Sequence, residues 1–467
     1  MTRVLIISHD VVGSRMAGPG IRYWELARVL ARHHQVTLAC PNQTDLEGHG
    51  FRLAPYKRQD PDSLRPEAQK AEVVLLCGDT LEVFPWLKDS GRPLVVDLYD
   101  PFILENLELD QGLSREEQEA RQQSGLSVLR GLLKAGDFFI CANQRQRDFW
   151  LGMMTAWGQI TPESYQRDPS LEGLIAVVPF GLPSDAPRHS KSVLKGVWPG
   201  IGPQDKVLLW GGGLWDWLDP LTAVRAMAWL RSHREDVRLF FMGTRHPNRE
   251  AVPEMRVAVE ARRLSQELGL LDKYVFFNDW VPYEERAGYL MESALGLSLH
   301  LHLVETRFSS RTRLLDYIWA GLPMVVTGGD PLAELVEAGG LGRVVDFQDV
   351  EGVGNAILQL LEQPRLKESL ADSFRKTAEP LRWEAACQPL LHFCQKPSFI
   401  SSRPTTTGGN EITVRGVNPT LDPQEAIHYP YLLSLWERIK VRAGFPHPNL
   451  LPEGEGMADK PCLIDPL

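Results

Sequence analysis

The sequence predicts an α/β protein in which two doubly wound parallel sheets, each covered by helices, face one another across a cleft. Short apolar runs bounded by turn residues alternate with helical patterns along most of the chain, which is the signature of parallel strands flanked by helices on both faces. A stretch at 181–203, rich in Pro, Ser, Gly and Lys, divides these runs into two sets of similar size. Each set also carries a glycine-rich loop directly after its first strand, where a ligand can approach the backbone.

The bulk properties fit this architecture. The chain has 467 residues, 43% hydrophobic and 24% charged, enough for two cores and an appendage. A net charge of -10 and the lack of any Lys/Arg cluster argue against a nucleic-acid partner. The six cysteines, Cys40, Cys77, Cys141, Cys387, Cys394 and Cys462, form no Cys-x-x-Cys pair and read as buried thiols rather than as metal ligands or disulfides. The chain enters its first strand without a signal-peptide pattern and holds no apolar run near the ~18 residues of a spanning helix, so a cytoplasmic protein is expected.

In the first half, strands are predicted at 4–8, 35–40, 73–77, 94–98, 138–142 and 175–179. The loop from His9 ends in Gly18-Pro19-Gly20 and opens a helix with Tyr23, Leu26, Ala27 and Leu30 on one side. Gly18 and Gly20 are therefore candidate cleft residues, although a tight turn would use the same glycines. Asp97-Leu-Tyr-Asp-Pro101 closes another strand at the edge where open sheets bind ligands. Asp97 and Asp100 there are suited to positioning or deprotonating an acceptor hydroxyl, while Asp100 also fits a helix cap. The acidic stretch 105–133, with Ser114 as a start signal, reads as a solvated helical excursion over the cleft.

In the second half, strands are predicted at 207–210, 237–242, 275–277, 295–303, 324–326 and 343–345. After the first comes Trp210-Gly-Gly-Gly-Leu-Trp-Asp-Trp-Leu-Asp-Pro220. Gly211, Gly212 and Gly213 let backbone N–H groups approach an anion, and Asp219-Pro220 caps a helix. Trp215 and Trp217 would either flank a sugar or base or pack at a domain interface. Arg245, after a later strand, either adds to the same field or lies on an exposed turn.

The richest stretch is 299–330. Ser309 and Ser310 can cap a helix beginning near Arg311 and ending at Gly321-Leu-Pro323. Arg311 and Arg313 in its first turn make an anion site, and Asp316 can accept hydrogen bonds from ribose hydroxyls. His300 and His302 alternate with leucines, so both are predicted to share one strand face, with His302 nearest a bound sugar. A metal site on this pair would need a third ligand, with Glu305 the obvious neighbour, and no metal is expected.

The segment Ser310-x-x-Arg313-x-x-Asp316-Tyr317-x-x-Ala320-Gly321-x-Pro323 resembles the donor-binding segment of the retaining GT-B glycosyltransferases of family 4, also called group 1. The resemblance implies the GT-B architecture: two Rossmann-like domains, at 1–182 for the acceptor and 200–380 for the nucleotide sugar, with a helix at 381–395 crossing back to the first. It implies that Asp316 binds ribose and that Glu305 is the earlier glutamate that contacts the donor sugar or diphosphate. The implied catalytic set is Glu305, Arg313, Tyr99 and Asp100. The implied donor set is Gly211, Gly212, Gly213, Ser309, Ser310, Arg311, Arg313, Asp316 and His302.

Three departures stand out. Glu305 and Asp316 are further apart than in the family. Tyr99 stands where a histidine is usual, and Gly213 and Leu218 stand where the family places the arginine and lysine that neutralise the diphosphate. Arg311 and Arg313 are thus expected to carry that charge. The implied activity is metal-independent transfer, with retention, from a nucleoside diphosphate-sugar to a hydroxyl acceptor, which is a glycan, a lipid-linked saccharide or a small molecule, in cell-envelope or polysaccharide biosynthesis. No cofactor beyond the nucleotide-sugar co-substrate is expected. A non-catalytic nucleotide- or glycan-binding relative and a sugar-nucleotide epimerase of the same fold are the alternatives. The remaining stretch, 396–467, reads as a flexible linker and tail, with a basic amphipathic helix at 431–443 suited to an anionic membrane surface or to docking on protein.

Overall fold

A computed structural model describes residues 1–249 and 252–399; the expected tail helix at 431–443 and Cys462 lie outside the described residues. The first domain is a seven-stranded sheet in the order β3-β2-β1-β4-β5-β6-β7, with β1 (Arg3–Ile7), β2 (Gln35–Cys40), β3 (Arg52–Pro55), β4 (Val73–Cys77), β5 (Leu94–Asp97), β6 (Phe138–Cys141) and β7 (Ile175–Val177). The second is a six-stranded sheet in the order β10-β9-β8-β11-β12-β13, with β8 (Lys206–Gly213), β9 (Val237–Gly243), β10 (Val275–Phe277), β11 (Leu295–Ser298), β12 (Met324–Thr327) and β13 (Gly342–Val345). The strands pair in parallel throughout both sheets.

Central strands are apolar on both sides because helices cover both faces: Val73, Val74, Leu75, Leu76 and Cys77 of β4 are all buried. Each such aliphatic side chain contributes about 2 kcal/mol of hydrophobic stabilisation before the entropy of ordering is set against it. Two differences from expectation have local causes. The strand β3 went unpredicted because Arg-Leu-Ala-Pro offers no apolar run; as an edge strand it tolerates the terminal Pro55. The strand β11 stops at Ser298 instead of running on to 303. Beyond it His300 N–H donates to Thr327 Oγ1 (2.9 Å), Asp219 N–H donates to Leu299 O (3.0 Å), and His300 bridges to Leu218. The chain leaves the sheet to hold the start of the next helix's loop.

The C-terminal helices, Trp383–Ala386 and Gln388–Gln395, return to the first domain. Phe393 stacks on Phe138 (4.6 Å between ring centroids) and Thr2 Oγ1 donates to Cys394 O (2.7 Å). Gly181 must be glycine because a Cβ there would sit 2.6 Å from the Trp383 ring. Cys40, Cys77, Cys141, Cys387 and Cys394 are free and buried. Among the described residues, no helix is long and apolar enough to cross a membrane.

Two sets of contacts join the domains on either side of the cleft. On one side, Tyr283 N–H donates to Ser14 O (2.8 Å), Tyr283 Oη donates to Glu25 (3.0 Å) and Trp280 Nε1 donates to Met16 O (3.3 Å). On the other, the buried Gln146 amide donates to both Tyr99 O (2.7 Å) and Phe308 O (2.8 Å), and Arg145 reaches Gly329 O (2.9 Å) and Glu334.

Candidate active site

Strand order reverses direction beside β1 and β4 in the first sheet and beside β8 and β11 in the second. Open α/β sheets bind ligands outside the carboxyl ends of the strands at such points. The loops that leave these four strands, with others, enclose a cavity of about 1490 Å³ between the domains.

On the second-domain wall stand Gly211, Gly212, Gly213, Ser310, Arg311, Arg313 and Asp316. The glycines are not equivalent. Gly211 N–H is already used by Tyr317 Oη (2.7 Å), which itself lies 2.8 Å from both Leu209 O and Leu297 O. Gly213 O accepts from Arg313 Nη2 (2.8 Å). Gly212, at φ +77° and with nothing within 4 Å of the place a Cβ would take, is the open one, and its left-handed backbone is one that glycine adopts without strain.

The glycines end β8 itself; the helix that follows the segment after β11 runs Thr312–Trp319, with Arg311 at the N-cap and no side-chain cap. Ser309 does not cap it, because its hydroxyl donates to Thr306 O (3.0 Å) and its N–H to Glu305 O (3.0 Å); it is buried behind the wall. Arg311 Nη2 donates to Glu305 Oε2 (2.6 Å). Glu305 is 1% exposed and does not line the cavity, so its carboxylate holds Arg311 at the wall; Glu305 Oε1 and Arg311 Nε have no partner. Arg313 packs over Trp210 (4.9 Å) with Nη1 unpartnered, and burial first, then Arg311, pulls it down to about 10. Asp316 Oδ1 accepts from Arg286 Nε (3.2 Å) and faces the cavity beside it. Burial raises the Asp316 carboxyl, and Arg286 partly offsets this.

The first-domain wall carries Gly18, Tyr99 and Asp100 as expected cleft residues. Burial pushes Asp100 up to about 7, with Asp97 and Glu305 adding to the shift and the Tyr99 hydroxyl and Arg22 opposing it. Glu105 beside it is also raised by burial, then by Asp100 and Glu305. At about 7, the Asp100 carboxyl exchanges protons near neutral pH.

Three candidates besides Ser309 and Glu305 sit elsewhere. Asp97 is fully buried under the wall, where Arg22 donates to it twice (Nε to Oδ2, 2.6 Å; Nη2 to Oδ1, 3.1 Å); as the last residue of β5 it faces the helix Gly18–Leu30, not the cleft. Gly20 lies inside that helix, and a Cβ would come 2.3 Å from Val11 O, so it serves chain packing. His302 is exposed against Phe347 (4.6 Å), while His300 is buried 3.3 Å from Asp330 Oδ2; neither lines the cavity. The predicted common face for these histidines required the strand to continue past Ser298. Among the described residues, no group of three His, Cys, Asp or Glu is arranged to hold a metal. Arg245 lies outside the wall near Glu254, and its neighbour His246 takes the inward place. Trp215 and Trp217 both line the cavity, stacked 5.3 Å apart.

His9, Asp10, His246, Trp280, Tyr283 and Arg286 also line the cavity, as does Glu105 from the stretch expected over the cleft. His9 and Asp10 follow β1 directly, so the carboxyl-edge rule marks them. Arg286 starts an ordinary short helix and gives no local signal.

Residues 205–363 match the family model "Glycosyl transferases group 1". No curated protein matches the chain significantly. Among solved structures, sucrose-phosphate synthase from Thermosynechococcus elongatus matches with a TM-score of 0.59 and 16% identity, covering 85% of this chain and 98% of its own. Anabaena HepE in complex with UDP-glucose matches with a TM-score of 0.59 and 16% identity, covering 85% and 100%. Trehalose-6-phosphate synthase OtsA matches with a TM-score of 0.59 and 11% identity, covering 85% and 100%.

Proposed function

From a group 1 glycosyltransferase domain set in a GT-B fold, we propose that this chain transfers a sugar from a nucleoside diphosphate-sugar to a hydroxyl acceptor bound against the first domain, with retention and without a metal. The observation that carries this reading is the convergence of Arg311, Arg313 and Asp316 from one domain and Tyr99 and Asp100 from the other on a single cavity. Asp316 accepts hydrogen bonds from the ribose hydroxyls. Arg311 and Arg313, with the open backbone at Gly212, stabilise the charge that develops on the leaving diphosphate, an effect worth several kcal/mol when donors are preorganised. Glu305 acts through Arg311. Asp100 orients the acceptor hydroxyl, and the contacts on both sides of the cleft exclude water so that transfer outruns hydrolysis.

HepE was solved with UDP-glucose, which makes a uridine nucleotide the first donor to try. Thermal-shift titration with UDP-, dTDP- and GDP-sugars tests the proposal: stabilisation by one class is expected, and no stabilisation by any of them overturns it. A binding protein without turnover is the second reading, favoured by Gly213 and Leu218 in place of cations and by the partners already held by both arginines. Binding of a donor that is neither hydrolysed nor transferred would support it.

A further inference from the structure

His9 stands at the carboxyl end of β1 and Cys77 at the carboxyl end of the neighbouring β4, and His9 Nδ1 lies 2.8 Å from Cys77 Sγ. Gly78, at φ +54°, brings the backbone close enough that a Cβ on it would touch the His9 ring at 3.5 Å, and Tyr23 packs edge-on at 6.3 Å. The ring is thereby fixed on three sides. Cys77 is buried, and burial raises its thiol well above the ordinary range, so the sulfur carries its proton. A protonated thiol facing an imidazole nitrogen can donate to it, and when it does the ring proton is left on the other nitrogen. The ring itself is kept neutral by burial, against Asp10, Asp79 and Asp97. His9 lines the cavity, and among the described residues Nε2 has no hydrogen-bond partner and is not one of the buried unpartnered atoms, so it opens to the cavity.

We propose that His9 binds the acceptor: its Nε2–H donates a hydrogen bond to an acceptor oxygen of hydroxyl type, and Cys77 is a positioning residue that sets the tautomer. This rests on the reading of the cleft as a transferase site, since that reading puts the acceptor against the first domain. A neutral, single-tautomer imidazole presents one donor of fixed direction, and a hydroxyl oxygen is suited to receive it. Among the described residues, no other group on the wall is held by a thiol in this way.

The test uses the full chain labelled with 15N-histidine at pH 7. In the wild type, His9 should appear as the neutral Nε2–H tautomer, and its Nε2 signal should move when methyl α-D-glucopyranoside is titrated in. Cys77→Ala should give mixed tautomers and bind the glucoside about tenfold more weakly, the size of one hydrogen bond, with UDP affinity by calorimetry unchanged. Cys77→Ser, which keeps a donor and guards against a folding defect, should preserve the tautomer. His9→Gln should bind the glucoside better than His9→Ala. A His9 ring that is Nδ1–H or imidazolium in the wild type, or an Nε2 signal unmoved by saturating glucoside, overturns the proposal. Loss of UDP binding in the wild type would instead count against the donor site, leaving the tautomer measurement to decide the Cys77–His9 pair.

Discussion

Asparagine at position 97 separates a structural carboxylate from a catalytic one. Arg22 and Asp97 are both 0% exposed, joined by two hydrogen bonds, and Arg22 makes a further one to Val178 O (2.9 Å) while its Nη1 has no partner. Burial alone would depress the guanidinium, and Asp97 outweighs it and raises it. Asp97→Asn keeps the shape and removes the charge, stranding a buried cation. Breaking such a pair costs about 3–5 kcal/mol, a large share of the ~5–15 kcal/mol typical of a whole domain. For a domain of this size that corresponds to a fall in Tm of roughly 10 °C, read by scanning calorimetry on the transition of the first domain. The double variant Arg22→Leu/Asp97→Leu should recover much of the loss, since a buried pair replaced by apolar groups is often neutral. A single variant that melts within about 2 °C of the wild type yet loses all transfer would refute the reasoning and put Asp97 in the reaction.

Three further outcomes follow from the cavity walls. Asp316→Ala should weaken UDP binding about tenfold by calorimetry, the loss of one or two hydrogen bonds; unchanged affinity removes Asp316 from the ribose role. Arg313→Ala should lower kcat by about a hundredfold with a smaller change in KM, as expected for a contact strengthened in the transition state; equal losses in binding and turnover would make it a ground-state contact. Asp100, raised to about 7, binds its proton in the folded protein from the ordinary carboxylate range up to about 7, while the unfolded chain does not. Its contribution to stability therefore falls as pH rises through that window and is flat above it. Transfer should titrate with a midpoint near 7, and Asp100→Asn should remove that step; a pH profile between 6 and 8 identical in the variant would assign the step to another group.

The strands were legible because buried parallel strands must be apolar on both faces, so twelve of the thirteen strands among the described residues announce themselves as short apolar runs. The second-domain wall was partly legible for a different reason: Ser310, Arg311, Arg313 and Asp316 fall within one turn-and-helix segment, so local spacing brings them together. Longer-range partnerships were not visible. Nothing near Asp97 says that Arg22, 75 positions away, will claim it, or that Arg286, 30 positions away, will meet Asp316. Asp97 and Asp100 look alike in sequence, and only the end of β5 decides which one faces the cleft. The assignment of His302 failed because side-chain direction depends on where a strand stops.

Gln146 ties Tyr99 O to Phe308 O through a single amide nitrogen. Tyr99 adjoins Asp100, and Phe308 sits between Glu305 and Arg311. If a substrate shifts either loop, this shared tether would carry the strain to the other half of the cavity. Such communication is reciprocal in free energy: if the donor sharpens affinity for the acceptor by some factor, the acceptor sharpens affinity for the donor equally. Gln146→Ala should therefore uncouple the two affinities while leaving each partner able to bind alone.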